Sequence, residues 1–205
     1  AGGRTLAEAL SERFSAYSAD ALYQGWQVLD REICRRILED PRMKISADAI
    51  LKESFMTGME DYLTEVIAGI TPQIAVFHKV AEIILSCARV GKVIVVGRAG
   101  ALVTRGLPLG IHVRLIADKL DRVQRIMKRD SLPRAEADRL VTENDESRSR
   151  LVSAYFSHKD INNPMLYDMV FNTSTVPIPE IASVVMRMVK DKTKHQPALH
   201  AEPVR

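Results

Sequence analysis

Residues 91–100 read GKVIVVGRAG, a run of β-branched apolar side chains from Val93 to Val96 held between glycines. A short continuous apolar run with turn residues at both ends, and no polar alternation, is the pattern of a strand buried on both faces of a parallel sheet. Upstream, Pro72 to Ala88 repeats Ile74, Phe77, Val80, Ala81 and Ile84 at helical spacing. Downstream, GIHVRLIA (110–117) reads as another strand and DKLDRVQRIMKRD (118–130) as a helix after it. The alternation continues to both ends. Thr5 to Ala16 carries Leu6, Leu10 and Phe14 on a helical stripe, WQVLD (26–30) is a short strand, and REICRRILED (31–40) is a helix stopped by Pro41. LPRAEADRLVTENDESRSRLVSAYF (132–156) is a long polar helix or helix pair. YDMVFNTS (167–174) is a strand and IPEIASVVMRMVKDK (178–192) the closing helix. Strands alternating with helices predict an α/β fold with a parallel sheet. An amphipathic first helix in such a fold normally follows a strand, so a strand is expected ahead of Ala1.

The chain of 205 residues carries 29 Lys and Arg against 26 Asp and Glu, a net charge of +3. That length suits one domain, expected over 1–192, followed by a polar, proline-punctuated tail at 193–205. The mild positive charge suits small phosphorylated anions and is too weak to argue for a nucleic-acid groove. No stretch has the ~18 uninterrupted apolar residues of a membrane span, and no secretory signal is read. Cys34 and Cys87 lie inside helical runs without a CxxC pattern or metal-spaced histidines. Reduced thiols and a cytoplasmic location are the expectation.

Ligands in parallel α/β sheets bind beyond the carboxyl ends of the strands. Residues at those positions are Gly2, Gly3, Arg4 and Thr5 ahead of the first helix, then Asp30 and Arg31, Gly97 and Arg98, Asp118, and Asn172 to Ser174. The opening AGGRT fits a phosphate loop, because helix N-terminal N–H groups attract phosphate and glycines let the backbone wrap it. A flexible terminus explains those five residues equally well, and the full GxxxxGK[ST] pattern is absent. Arg98, between glycines beyond a buried strand, can fork onto phosphate oxygens or pair with a neighbouring helix. Asp30 can cap the helix that follows it as well as face a ligand. Arg148 and Arg150 project about 200° apart on their helix. They reach two sides of a ligand, or pair with Asp145 and Glu146 on a solvated face. His112 and Arg114, alternating with apolar residues along their strand, are expected to face outward or bond to a neighbouring element.

Taken in order, GGRTLAEAL, WQVLDREI, VIVVGRAG, HVRLIA, DESRSR and YDMVFNTS resemble the cytidylate kinase-like family of P-loop nucleoside monophosphate kinases over residues 1 to about 190. The resemblance implies a five-stranded parallel core flanked by helices, its central strand preceding Ala1. It also implies a helical acceptor-binding insertion at about 38–71 and a mobile lid at about 129–162. Under it, Gly2, Gly3, Arg4 and Thr5 cradle the donor phosphates, with Thr5 toward magnesium. Asp30, Arg31 and Arg98 face the acceptor, and Arg148 and Arg150 close from the lid. Arg4, Arg98, Arg148 and Arg150 would carry catalysis. ATP and Mg²⁺ are the implied cofactors, a nucleoside monophosphate such as CMP or dCMP the implied acceptor, and a homodimer is left open. Two positions depart from the pattern: Gly3 stands where the loop lysine is expected, with Arg4 one place later, and Ala99 stands where an acid follows the glycine–arginine pair. Two other functions therefore stay open: a kinase of another small acceptor, and a non-catalytic nucleotide sensor.

Overall fold

The computed structural model describes residues 1–30, 32–34, 36, 72–156 and 160–195. The expected insertion at 38–71, Arg31, and the tail beyond 195 lie outside the described residues. In chain order the elements are α1 (Gly3–Ala16), β1 (Gln27–Leu29), α2 (Pro72–Val90), β2 (Val93–Val95), α3 (Gly100–Val103), β3 (Val113–Ile116), α4 (Lys119–Asp130) and α5 (Arg134–Tyr155). A 3-10 turn (Pro164–Leu166), β4 (Met169–Asn172) and α6 (Ile178–His195) complete them.

Each element forms for a local reason. The stripe expected on α1 is buried, with Leu6, Ala7, Leu10 and Phe14 on its inner face. Where α2 ends, Gly91 takes the left-handed φ of 89° and its N–H returns to Cys87 O at 3.1 Å. That satisfies a terminal carbonyl in the way glycine at this position does. The polar run after Pro133 is one 22-residue helix rather than a pair. Asn163 opens the 3-10 turn by accepting the Met165 N–H.

The strands pair as two parallel couples, β1 with β2 and β3 with β4. The register decides which groups bond. The Gln27 N–H donates to Lys92 O and the Val96 N–H to Leu29 O, so even-numbered residues of β2 bond toward β1. Likewise the Met169 and Thr173 N–H groups donate to His112 O and Ile116 O, so even-numbered residues of β3 bond toward β4. In a parallel ladder the intervening residues, Val93 and Val95 on β2 and Val113 and Leu115 on β3, turn their backbone groups to the opposite edge. These edges of β2 and β3, like the outer edges of β1 and β4, carry no ladder among the described residues. One core joins the couples: Leu6, Leu10, Phe14, Tyr23, Ile181 and Val185 pack with Ile94 of β2 and with Val113 and Leu115 of β3.

A polar clasp closes the amino ends of β3 and β4. Asp168 accepts the His112 N–H at 2.6 Å, and the His112 ring lies 3.2 Å from the same carboxylate and 3.0 Å from Thr104 Oγ1. Lys192 of α6 stands 3.6 Å from Asp168 and donates to Gly110 O. Arg114 reaches Asn162 Oδ1 at 3.0 Å and the Tyr167 hydroxyl at 3.3 Å. Both strand residues therefore bond to neighbouring elements. Burial pushes the Asp168 carboxyl up, but the His112 N–H, Lys192 and the His112 ring outweigh it and hold it below the usual carboxylate value. A carboxyl depressed in the folded state stabilises the fold above its unfolded value, and that contribution disappears as pH falls through the folded one. The urea midpoint is accordingly expected to fall as pH drops below about 4, the unfolded carboxyl value. Asp168→Asn should flatten this dependence; a slope unchanged in that variant would rule the clasp out as its source.

Candidate functional site

The helix entry at Gly2 sits over the carboxyl ends of β3 and β4. Gly2 has φ 88°, and a Cβ there would lie 3.3 Å from Ile178 Cδ1 and 4.0 Å from Arg125 Nη1. Glycine meets both demands, a left-handed backbone and a close neighbour. Thr173, buried at the end of β4, fixes this corner: its hydroxyl stands 3.2 Å from both Ala1 O and Ile116 O. Arg125 of α4 grips the same residue, donating from Nη1 to Thr173 Oγ1 at 2.8 Å and from Nη2 to Thr173 O at 2.5 Å.

Two further guanidiniums converge here. Arg122, one turn before Arg125, donates from Nη1 to both oxygens of Asp145 on α5, at 2.8 and 2.6 Å. Arg148, three residues on from Asp145, donates to its Oδ1 at 3.2 Å. All three lie close enough to Ala1 for their charges to bear on the start of the loop. A helix N-terminus ringed by three guanidiniums is chemically an anion site, since oriented N–H groups and the positive end of the helix dipole act with the side-chain charges.

Arg4 points elsewhere. Its Nη2 donates to Asp30 Oδ2 at 2.8 Å and its Nε lies 4.0 Å from Glu8. It helps line a groove of about 370 Å³ between α1 and β1, with Glu8, Glu12 and Asp30 on the polar side and Val28 and Val96 beneath. Asp30 also accepts the Glu32 and Ile33 N–H groups at 3.0 Å each, as a helix cap does. The Ile33 N–H, then Arg4 and the Glu32 N–H, hold its carboxyl below the usual range against the effect of burial. Capping and facing the groove therefore coexist in one side chain.

Beyond β2 the backbone turns left-handed at three successive residues, Gly97 (φ 72°), Arg98 (φ 53°) and Ala99 (φ 54°). Left-handed φ at two non-glycine residues costs about 1–2 kcal/mol each, and such strain concentrates where a side chain must be aimed. Arg98, half-buried at this turn, is near enough to the buried Cys34 for its charge to bear on that thiol, which burial raises overall. The turn is locked by Gly100, where a Cβ would fall 2.8 Å from Val95 Cγ1. Gly100→Ala is expected to destabilise the fold by about 1–3 kcal/mol through overpacking, read as a lowered urea midpoint. No change in that midpoint would show that Val95 yields freely.

Of the residues expected at the site, Gly2, Gly3 and Arg148 share the arginine-ringed corner, with Thr5 exposed in the first turn of α1. Asp30 and Arg4 share the adjoining groove. Arg150 stands apart, 73% exposed with Glu146 at 3.8 Å. Both pairings expected on the solvated face, Asp145–Arg148 and Glu146–Arg150, are present. Arg122 and Arg125 escaped the sequence reading. They lie within two turns of the carboxyl end of β3, at i and i+3 on α4, and following that helix inward from Asp118 would have found them.

Fold and site together define a parallel α/β protein with an arginine-ringed helix entry at the carboxyl ends of its strands. The sequence model of the cytidylate kinase-like family matches residues 1–175, and the chain belongs to that family. Membership gives it a nucleotide-kinase-like, phosphotransferase character at the coarse level. Among solved structures, the crystal structure of an uncharacterized protein from Eubacterium ventriosum ATCC 27560 is similar, with a TM-score of 0.67 and 16% identity over 93% of this chain and 92% of that one. That likeness concerns the fold. No curated protein matches the chain. Among the described residues no helix is long and apolar enough to cross a membrane.

Proposed function

We propose that the chain transfers the terminal phosphoryl group of Mg-ATP to a nucleoside monophosphate, with CMP or dCMP as the acceptor. The observation that carries this is the convergence of Arg122, Arg125 and Arg148 on the glycine helix entry, beside a separate groove holding Arg4 and Asp30. One anion corner and one adjoining groove are what a donor and an acceptor require.

The reading assigns the donor phosphates to the N–H groups of Gly2 to Thr5 and to the three guanidiniums. With Gly3 in the lysine position and Arg4 held by Asp30, the positive charge beside the donor comes from α4 and α5. Arg98, Asp30 and Arg31 serve the acceptor. The reading includes a fifth parallel strand entering the loop, supported by the unpaired edges of β2 and β3 and by the core cluster that residues of both strands pack against. Among the described residues no three His, Cys, Asp or Glu side chains cluster as a metal cage. Magnesium binds through substrate phosphates, waters and few protein groups. The Thr5 hydroxyl is the protein group at hand, and the metal when bound neutralises charge on the phosphate oxygens. Positioning and guanidinium charge on the transferring oxygens supply the rest of the rate. α5 is the lid, and its closure excludes water so that the phosphoryl group reaches the acceptor. Arg150 would join the phosphates only on such closure.

A second reading, a kinase of another small acceptor, draws on Ala99 in place of an acid and on the carboxylates of Glu8 and Glu12 along the groove. The test is ADP production from Mg-ATP by the full-length protein, against a panel of nucleoside monophosphates and a control without acceptor. Stimulation by CMP or dCMP alone is expected. Slow hydrolysis that no member of the panel accelerates would favour the second reading. Saturable nucleotide binding without any turnover would identify a sensor.

A further inference from the structure

The arginine corner contains its own anion. Asp145 is held by Arg122 and Arg148 together, and nothing in the phosphoryl-transfer reading requires a carboxylate among guanidiniums meant for phosphate. Its hold is also geometrically poor. Both Asp145 oxygens share the single Nη1 of Arg122, at 2.8 and 2.6 Å, instead of the two parallel bonds a guanidinium fork offers. Arg122 Nε is buried and makes no hydrogen bond among the described residues. A buried donor left unmade is costly, and a larger anion with oxygens spread in three directions could satisfy more of the fork. Arg148 likewise uses one nitrogen, at 3.2 Å. Asp145 is 40% exposed, so leaving the arginines needs only a side-chain rotation into water. Because Asp145 and Arg148 sit three residues apart on α5, they travel together.

We propose that Asp145 is a resident counter-ion, occupying in the ligand-free protein the place between Arg122 and Arg148 that a ligand polyphosphate takes. It keeps two guanidiniums together without a ligand, and it competes with the ligand for them. Asp145 is thus a positioning residue that sets phosphate affinity by exchange. The identity of the ligand rests on the phosphoryl-transfer reading; the competition itself does not.

The test is calorimetric titration of the full chain with inorganic tripolyphosphate, wild type against Asp145→Asn, at two salt concentrations. Removing one like charge beside the ligand should tighten binding about fivefold at low salt, and less at high salt. A residue that merely braces α4 against α5 would weaken binding when replaced. Equal or weaker binding by Asp145→Asn, or no binding by either protein, overturns the proposal. Should that variant not fold, carboxyl-carbon NMR of the wild type decides. The Asp145 signal should move toward its solvated position as tripolyphosphate is added, and an unmoved signal is equally fatal. Tighter tripolyphosphate binding without ADP production would keep the counter-ion and discard the kinase. Acceptor-dependent ADP production without tightening would do the reverse.

Discussion

Arg148→Ala is expected to lower kcat for phosphoryl transfer by about a thousandfold, the scale on which arginines stabilise charge on a transferring phosphoryl group. Arg148 is carried by α5, held toward Arg122 by Asp145, and close enough to Ala1 for its charge to bear on the loop. Nucleotide affinity should fall far less, because Arg122, Arg125 and the loop N–H groups remain. Stability should hardly change: the side chain is 54% exposed, and one exposed ion pair at 3.2 Å contributes about 0–1 kcal/mol. The measurements are steady-state ADP release, nucleotide binding by calorimetry, and the melting temperature. Arg148→Lys separates charge from shape, since an ammonium keeps the charge and loses the fork. Turnover within tenfold of wild type in Arg148→Ala would remove Arg148 from the mechanism, whatever the binding data show.

The parts legible in the sequence were those set by local pattern. Leu6, Leu10 and Phe14 recur at helical spacing, and α1 buries that face. The glycine-bounded run around Val93–Val95 and the runs at Val113–Ile116 and Met169–Asn172 are strands, each placed where alternation with helices expected one. The site was less legible. Arg4 follows the glycines in sequence, yet its direction is decided by Asp30, 26 residues away, and no local pattern reports that ion pair. Arg122 and Arg125 lie on a helix whose sequence singles out neither of them. What distinguishes them is contact with Asp145 and Thr173, residues far along the chain. Pattern fixes which face of an element is apolar; the partner of a charged side chain depends on how elements meet.

The largest expected loss of stability lies behind the loop. Phe14 is 2% exposed, its ring 5.4 Å from Tyr23 and 4.6 Å from Trp26, within the cluster that packs α1 on α6 and against β3 and β4. Phe14→Ala should cost about 3–5 kcal/mol from lost transfer energy and the cavity left behind. Domains are stable by only about 5–15 kcal/mol, so the variant would be marginal, with a melting temperature lower by roughly 6–20 °C at this chain length. Trp26, the single tryptophan, touches the altered ring and reports the transition by fluorescence. Phe14→Leu, which keeps most of the volume, should cost less than half as much. The consequence for function follows from α1 itself. The helix that buries Phe14 at its far end presents Gly2 and Gly3 at its near end, about three turns away. Well below its melting temperature the variant should therefore bind nucleotide almost as the wild type does, because Thr173 and Ile178 fix the loop locally. A loss of under 1 kcal/mol would show that the aromatic cluster repacks without Phe14. A folded variant that no longer binds nucleotide would show instead that the loop takes its position from the far end of α1 and not from Thr173.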